Sequence, residues 1–380
     1  TIKVALDTSN HSLLVKCAEQ LEDAAFSLTS RCVSSSIPDI TVSSKSFPPC
    51  ETWIVSNAPA RVDLSGGWSD TPPVSYEFGG AVACLAVTLR NRKPLSARCR
   101  RTKHVCGIKL VVENRDIDSG DLIESESILI AKMKDLSDFR NPQAKCALSK
   151  CALIALGVIP ISDITENEDK SIEDIIENVY GEKVGIEIIS TSLLPHGSGL
   201  GTSSILAGCV LSSLGQCLGF EKVKDRGFLI RAVLNLEQLL STGGGWQDQV
   251  GGLYGNLKLC TAHLNVIPVH VHVEELQIPP ENLEDMNNRL VLAFGGRPRL
   301  AKNILQKVLR QWASRSPEIM GTVKKLVSGA HRCIETIQRK DYKELGTLLD
   351  DYWTLKKVMA GEDSGVEPTE VKHIFDTLKR

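Results

Sequence analysis

The sequence predicts an α+β fold. Segments that alternate apolar and polar residues, as strands do, are interspersed with longer segments of helical periodicity. The two kinds follow one another without the regular strand–helix–strand rhythm of a parallel α/β sheet. At 380 residues the chain is long enough for two domains of ordinary size.

The N-terminal part opens on an amphipathic pattern. Residues 13–28 carry apolar side chains at helical spacing, so a helix is predicted there, and the Ser- and Pro-rich stretch 34–49 is predicted to be a linker. The folded body then begins near Thr52. Residues 52–67 alternate like a strand that ends in two glycines, and residues 81–99 suit a pair of strands around the turn sequence Asn-Arg-Lys-Pro.

The rest of the chain mixes helical and strand patterns. The predicted elements are a helix over 137–156, an acidic surface insertion over 161–174, a strand over 184–189, helices over 203–218 and 227–240, strands over 267–273 and 289–294, and further helices to the C-terminus. The strand near 267–273 marks the expected crossing into a second domain. We therefore expect an N-terminal helix and linker over 1–50, a first domain over 51–262 and a second domain over 263–380.

Composition and charge exclude several classes of protein. Hydrophobic residues make up 42% and charged residues 24%, and the net charge of −2 gives no overall field to attract nucleic acid or an anionic membrane, so neither partner is expected. The twelve cysteines are scattered without a CxxC pair, which favours reduced thiols in a cytoplasmic protein over a disulfide scaffold. No signal-peptide pattern or membrane-length apolar run is found, and because the chain begins with Thr1 we expect it to be part of a longer chain.

The first of three glycine-rich clusters is LPHGSGLGTSS, residues 194–204, between a predicted strand and a predicted helix. Gly197, Gly199 and Gly201 let the backbone turn sharply and leave no Cβ in the way of a close ligand. N–H groups at the start of the helix can then point at phosphate oxygens, although a turn with a Thr or Ser helix cap explains the same residues. The cluster is not a Walker loop, it has Thr202 where GxGxxG has its third glycine, and the chain contains neither an HRD nor a DFG tripeptide.

The second cluster is APARVDLSGGWSDTPP, residues 58–73. Two glycines followed by Trp68, Ser69 and Asp70 suit a sugar site, where polar groups gather over a close-lying backbone. The alternative is a strand that ends in a tight turn, with Arg61 and Asp70 solvated.

The third cluster is EQLLSTGGGWQDQVGG, residues 237–252. Glu237 on a predicted helix and Asp248 in a loop bracket a glycine-rich turn, an arrangement less common than two merely solvated charges. His270 and His272 share a strand face and could bind a metal, but a solvent-facing pair explains them better because no third ligand is nearby in sequence.

Together the three clusters resemble the motifs of the GHMP kinases, the superfamily of galactokinase, homoserine kinase and mevalonate kinase. The pattern Pro-x-x-x-Gly-Leu-Gly-[Ser/Thr]-Ser is the phosphate loop of that family, and GGWSDTPP and GGGWQDQVGG are similar to the forms in L-fucose kinases. The resemblance covers the chain from about Ser56 onward. It implies a two-domain GHMP kinase fold, with a mixed sheet and helices in the first domain and a smaller α+β second domain.

The resemblance also implies roles for individual residues. Asp248 would lie beside the reacting hydroxyl, and Arg61 would be the basic residue for the reacting oxygen, so both are catalytic candidates. Ser203 and Glu237 would hold Mg²⁺. The sugar-binding candidates are Gly67, Trp68, Asp70 and Asp248. The phosphate-binding candidates are Pro195, His196, Gly197, Ser198, Gly199, Leu200, Gly201, Thr202, Ser203 and Ser204.

The activity implied by the resemblance is ATP-dependent phosphorylation of the anomeric hydroxyl of L-fucose, which gives fucose 1-phosphate for GDP-fucose salvage. L-fucose, ATP and Mg²⁺ are the expected ligands, in a longer chain with an N-terminal nucleotidyltransferase-like region. The alternatives are another sugar or heptose-phosphate kinase, or a non-catalytic sugar sensor of the same fold. The joint presence of Arg61, Ser203, Glu237 and Asp248 favours the enzyme.

Two features depart from the pattern of fucose kinases. Gly295-Gly-Arg297 stands where that family usually has Thr-Gly-Lys, and the family's third glycine-rich motif is missing after Gly365. We therefore expect a truncated second domain and at best weak activity from these 380 residues, because the missing loop would back the phosphates.

Overall fold

The computed structural model describes residues 11–34, 47–195, 197–240, 243–296, 301–361 and 365–378. The strands are β1 (Ile54–Ala58), β2 (Ala60–Ser65), β3 (Ala81–Val87), β4 (Leu95–Thr102), β5 (Ile108–Arg115), β6 (Leu122–Ile130), β7 (Gly185–Ser192), β8 (Leu257–Ala262) and β9 (Val271–Leu276). The helices of the first 262 residues are α1 (His11–Ser34), α2 (Val74–Phe78), α3 (Ala147–Ala155), α4 (Ile161–Glu166), α5 (Ile172–Tyr180), α6 (Thr202–Cys217), α7 (Arg226–Leu239) and α8 (Gln247–Leu253). The later helices are α9 (Pro280–Arg289), α10 (Ala301–Ser314), α11 (Pro317–Gln338), α12 (Tyr342–Ala360) and α13 (Thr369–Leu378).

The first sheet has five strands in the order β1-β4-β7-β5-β6. Its neighbours are antiparallel except β5 and β7, which run parallel, so the sheet is mixed as predicted. Apolar residues of α3, α6 and α7 form one core with the strands, and this explains why Ile186 and Ile188 of β7 are fully buried. The helix α6 begins ten residues after β7 ends, so the first glycine-rich cluster is held between a central strand and a buried helix, as predicted.

The second sheet has four strands in the order β2-β3-β8-β9 and is covered on both faces. On one face, α11 packs Ala330, Cys333 and Ile334 against Ala81 and Ala83 of β3. On the other face, apolar residues of α7 and α8 form a separate core with that strand. Because β3 is buried from both sides, its sequence AVACLAV is almost entirely apolar rather than alternating.

Two strand predictions need correction. The single strand predicted over 52–67 is broken at Pro59, whose ring removes a backbone donor, and its halves β1 and β2 lie in different sheets. The strands predicted over 81–99 exist, but they are not a hairpin, since β3 lies in the second sheet and β4 in the first. The Leu89–Arg92 bridge closes the turn between them.

The strand predicted over 289–294 is wrong. The helix α9 ends at Arg289, and residues 290–296 have no regular secondary structure; Val291 is 87% exposed. A strand needs a neighbouring strand for its backbone hydrogen bonds, and β9 lies instead at the edge of the sheet that contains β8. That sheet therefore continues past residue 262, and the described residues after β9 form helices only.

Other local predictions differ mainly in length. The predicted helix over 13–28 is confirmed and extends to both sides as α1, whereas residues 35–46 of the predicted linker lie outside the described residues. Only Ala147–Ala155 of the helix predicted over 137–156 is α-helical. The acidic insertion over 161–174 contains α4 and the start of α5.

All twelve cysteine side chains are free thiols. His270 and His272 are exposed, and across the described ranges no three His, Cys, Asp or Glu side chains gather as a metal site by themselves. None of the described helices combines the length and the apolar character needed to span a bilayer.

Candidate active site

Arg61 is the point where the three clusters meet. Its Nε donates to Asp248 Oδ1 at 2.8 Å, and its Nη1 donates to the carbonyl oxygen of Gly199 at 3.2 Å. It lies on β2 and is only 8% exposed, which excludes the solvated alternative for this residue. Burial disfavours its charge, but Asp248 and Asp63 outweigh that effect, so the pKa of Arg61 is raised above its usual range.

The first cluster forms an open loop that ends at the start of α6. Gly197, Gly199 and Gly201 all have positive φ (69°, 75° and 74°), a conformation that L-residues rarely adopt. Gly201 is the N-cap of α6, and among the described residues no Thr or Ser side chain caps that helix, so the alternative of a Thr or Ser cap is wrong. N–H groups at the start of a helix suit a ligand of negative charge.

The exposure of the predicted phosphate-binding residues varies along this loop. Pro195, Gly199 and Ser203 are exposed, Gly197, Ser198, Leu200 and Thr202 are half-buried, Gly201 and Ser204 are buried, and His196 lies outside the described residues. Ser198 and Thr202 also share a hydrogen bond of 3.2 Å between their hydroxyl oxygens.

Glu237 is buried on α7 and accepts a hydrogen bond from the Ser204 hydroxyl. The sequence predicted Ser203 and Glu237 as two ligands of one Mg²⁺. In the structure Ser204 contacts Glu237, and Ser203, one residue earlier, is exposed. Burial raises the pKa of Glu237 to about 8; the Ser204 hydroxyl opposes the rise, whereas the carboxylates of Asp248 and Asp70 add to it.

Asp70 joins the second cluster to the third. Its Oδ1 accepts from the backbone N–H of Trp68 at 2.8 Å, and its Oδ2 accepts from that of Gln247 at 3.0 Å. It is 1% exposed, so the alternative of a solvated Asp70 is wrong. Burial raises its pKa to about 6, against the Gln247 N–H and with a contribution from Asp248. Gly67 is buried and Trp68 half-buried beside it.

Asp248 lies in the first turn of α8, between these groups. Its side chain is 27% exposed, so it can be reached by a ligand while it contacts Arg61. The structure thus gathers Arg61, Asp248, Asp70 and Glu237, together with the turn that opens α6, into one site. A phosphate bound at the loop and a hydroxyl bound beside Asp248 would both lie next to Arg61.

Comparison with known proteins identifies the family. The family model described as GHMP kinases N terminal domain matches residues 170–256, which contain the loop, Glu237 and Asp248. The chain is 33% identical over 310 residues to the bifunctional fucokinase/GDP-fucose pyrophosphorylase of Arabidopsis thaliana, covering 81% of this chain and 26% of that protein. It is 30% identical over 365 residues to the L-fucokinase/L-fucose-1-P guanylyltransferase of Bacteroides fragilis, covering 94% and 36%. The chain belongs to the GHMP kinases.

Solved structures agree with this GHMP fold. A D-glycero-D-manno-heptose 1-phosphate kinase from Bacteroides thetaiotaomicron superposes with a TM-score of 0.52 over 80% of this chain and 79% of its own, at 20% identity. A protein from Listeria innocua gives 0.53 over 86% and 85%, at 13% identity. At these identities the likeness concerns the fold alone. This GHMP kinase chain spans only 26% and 36% of the lengths of its two curated relatives.

The predicted Mg²⁺ site of this GHMP kinase has a suitable donor set. The Glu237 carboxylate and the serine hydroxyls at the start of α6 are oxygen ligands of the kind that Mg²⁺ prefers. The negative charges of Asp70 and Asp248 repel that of Glu237 and add to the rise in its pKa, of which burial is the larger cause. A divalent cation would relieve that repulsion, so the residues fit the ion.

Sequence reasoning missed three residues of this GHMP site. Asp63 accepts a hydrogen bond from the Tyr352 hydroxyl, and Lys356 Nζ lies 3.4 Å from Asp63 Oδ2. Asp63 lies two residues after Arg61 on the same strand. Residues two apart share a strand face, so the sequence could have placed Asp63 beside Arg61. Tyr352 and Lys356 lie one turn apart on α12, but nothing in the sequence connects that helix with residue 63.

Proposed function

We propose that this chain transfers the γ-phosphoryl group of ATP to the anomeric hydroxyl of L-fucose. The observation that carries the proposal is the position of Arg61, which contacts both Gly199 of the phosphate loop and Asp248 of the acceptor side. Phosphoryl transfer depends mainly on positioning and charge neutralisation, and a fixed guanidinium between donor and acceptor supplies both. The names of the two relatives, fucokinases at 30% and 33% identity, support the choice of sugar.

On the donor side, the loop from Gly197 to Ser203 and the uncapped first turn of α6 receive the phosphates of ATP. Glu237 and the hydroxyl of Ser203 would hold Mg²⁺, whose charge would offset that of the phosphate oxygens. Ser204 contributes indirectly, because its hydroxyl donates to the Glu237 carboxyl and holds it in place.

On the acceptor side, Gly67, Trp68 and Asp70 form the sugar-binding segment. Asp248 orients or accepts the proton of the O1 hydroxyl while O1 forms a bond to the γ-phosphorus, and the bond between that phosphorus and the bridging oxygen breaks to release ADP. Arg61 stabilises the negative charge on the oxygens between the two sides.

The charges around the site favour a neutral sugar over a sugar phosphate. Both cations that the described residues place beside Trp68 and Asp248 already contact carboxylates, Arg61 with Asp248 and Lys356 with Asp63. A second phosphate on the acceptor would therefore face Asp63, Asp70 and Asp248, while these two cations are already paired. This argues against a heptose phosphate as the acceptor.

We propose further that the product passes to a nucleotidyltransferase within a longer chain. Both relatives carry a pyrophosphorylase or guanylyltransferase name beside the kinase name, and fucose 1-phosphate has the chemistry that such an activity consumes. The twelve free thiols support a cytoplasmic setting for this salvage route.

An ADP-release assay with a panel of acceptors tests the proposal. We expect Mg²⁺-dependent ADP release with L-fucose above that with D-fucose, galactose or a heptose 7-phosphate. Calorimetry with L-fucose and with an unreactive ATP analogue shows, beside this assay, whether the chain binds each ligand. Binding of both ligands without any ADP release, at high enzyme concentration, would support the sensor alternative instead.

A further inference from the structure

Lys356 is a buried cation that reaches the acceptor side of the site from α12. It is 9% exposed, and its Nζ lies 3.4 Å from Asp63 Oδ2 and 4.0 Å from the centroid of the Trp68 ring. The groups that face it are Asp63 and Arg61 of β2, Asp70 and Tyr352. Burial lowers the pKa of Lys356, while Asp63 and Asp70 oppose that change, so its charge depends on these two carboxylates.

Trp68 occupies a backbone conformation that needs support. Its φ of 77° lies in the left-handed region, which is uncommon for a bulky residue and persists only where the surroundings fix it. Two contacts do so: the Asp70 carboxylate accepts from its N–H, and the Lys356 ammonium lies over its ring at cation–π distance. One polar side chain therefore holds the backbone of Trp68 and another holds its ring.

Polar atoms converge on the neighbouring Gly67. A Cβ at this position would lie within 2.6 Å of oxygens of Asp63, Gln247 and Tyr352, so only glycine lets these groups approach the backbone. Asp63 Oδ1 and Gln247 Oε1 are both buried, and within the described ranges neither has a hydrogen-bond partner. Two unpaired acceptors next to Gly67 suit a ligand whose hydroxyl groups can supply the missing donors, as a sugar's can.

We propose that Lys356 is a positioning residue for the acceptor sugar, holding Trp68 and the Asp63 carboxylate so that the second domain sets sugar affinity. This inference rests on the proposed sugar kinase function. Among the described residues Lys356 makes no hydrogen bond or ion pair with the phosphate loop or with Asp248, so its effect should fall on the sugar and spare the nucleotide. It would also make acceptor binding sensitive to how α12 packs, whereas nucleotide binding would depend on α6 and α7.

The test compares Lys356→Met with Lys357→Met. Lys357 is the next residue on α12, but its side chain is 43% exposed and pairs with Glu367 away from Trp68, so it controls for the loss of a lysine from this helix. The dissociation constants of L-fucose and of a Mg²⁺-bound unreactive ATP analogue are measured by calorimetry. Lys356→Met should weaken fucose binding at least ~10-fold and nucleotide binding less than ~2-fold, whereas Lys357→Met should match wild type.

Two further variants guard against misfolding. Lys356→Arg keeps a cation over Trp68 and should recover part of the fucose affinity, and Tyr352→Phe removes only the hydroxyl that donates to Asp63 and should weaken fucose binding more mildly. Circular dichroism melting shows which variants are folded. If folded Lys356→Met binds fucose as wild type does, or loses fucose and nucleotide affinity equally, the inference is overturned. If Lys356→Met does not fold, wild-type fucose affinity in Tyr352→Phe, or an equal loss of fucose and nucleotide affinity in Lys356→Arg, overturns it. Failure of the wild-type chain to bind fucose would instead remove the proposed function.

Discussion

At the scale of single residues, charge is concentrated where phosphoryl transfer would need it. Arg61 is buried and contacts both a carboxylate and a loop carbonyl. Burying a charged side chain costs free energy, so we expect this one to have a binding role. Asp248 is the more accessible partner of that pair. We infer that Asp248 faces the acceptor while Arg61 remains behind it.

Asp248→Asn tests this assignment. The amide keeps the size of the side chain but cannot take a proton, so turnover should fall by at least ~10²-fold while fucose and nucleotide bind within a few-fold of wild type. Single-turnover rates and calorimetry measure the two effects separately. Near-normal turnover would remove Asp248 from the chemistry.

Glu237→Gln tests the electrostatics of the buried carboxyl. Because the pKa of Glu237 rises from 4.5 to about 8 on folding, the unfolded chain releases this proton first, and the carboxyl stabilises the fold less and less as pH rises from about 5 to about 8. Glutamine stays neutral throughout. The free energy of unfolding of Glu237→Gln relative to wild type should therefore increase by about 1.4 kcal/mol per pH unit over that window and then level off.

Urea denaturation in EDTA without nucleotide measures this difference. The exposed Glu124→Gln, in β6, isolates the effect of the substitution itself. A difference between Glu237→Gln and wild type that is independent of pH would show that Glu237 is not held in the environment described here.

At the scale of single elements, the first turn of α6 presents two neighbouring serines with different surroundings. Ser203 is exposed beside the loop, whereas Ser204 is 5% exposed and donates to Glu237. Successive residues on a helix point about 100° apart, so one turn can serve a ligand with one hydroxyl and support a buried carboxyl with the next. The two roles can be separated by mutation.

Ser204→Ala should reduce the free energy of unfolding by about 1–3 kcal/mol, because it removes a hydroxyl that donates to a buried carboxyl. Ser203→Ala should change stability by no more than ~0.5 kcal/mol while raising the Mg²⁺ concentration needed for half-maximal turnover. Chemical denaturation and Mg²⁺ titration of the turnover rate give both quantities. A loss of stability in Ser203→Ala together with a changed Mg²⁺ requirement in Ser204→Ala would contradict this division of roles.

The elements that sequence reasoning found are those with local rules. The strand β7, the glycine loop and α6 follow from alternation, glycine spacing and helical periodicity within about thirty residues, and the structure has them in that order. The break at Pro59 and the isolated segment at 290–294 depended on which strand pairs with which. Pairing is decided between residues far apart in sequence, so the pattern of one strand does not contain it.

At the scale of the whole molecule, the second sheet links the two halves of the site. Its β2 carries Arg61 and Asp63, α8 on one face carries Asp248, and α12 from the later helices brings Lys356 to the same place. The resemblance to GHMP kinases predicted Arg61 and Asp248 among the residues that gather here, but not Asp63. It did not predict Lys356, because no glycine-rich motif marks α12 in the sequence.

The proposed function names both the sugar and the hydroxyl that receives the phosphate. Both are tested most directly by ³¹P NMR of the chain with Mg²⁺, ATP and L-fucose at high enzyme concentration. We expect a new phosphomonoester resonance coupled to the anomeric proton, formed together with ADP and at least ~10²-fold more slowly with Asp248→Asn. Phosphate on any other fucose hydroxyl would contradict the proposed function. Phosphorylation of a heptose phosphate, under conditions in which L-fucose gives no product, would contradict it equally.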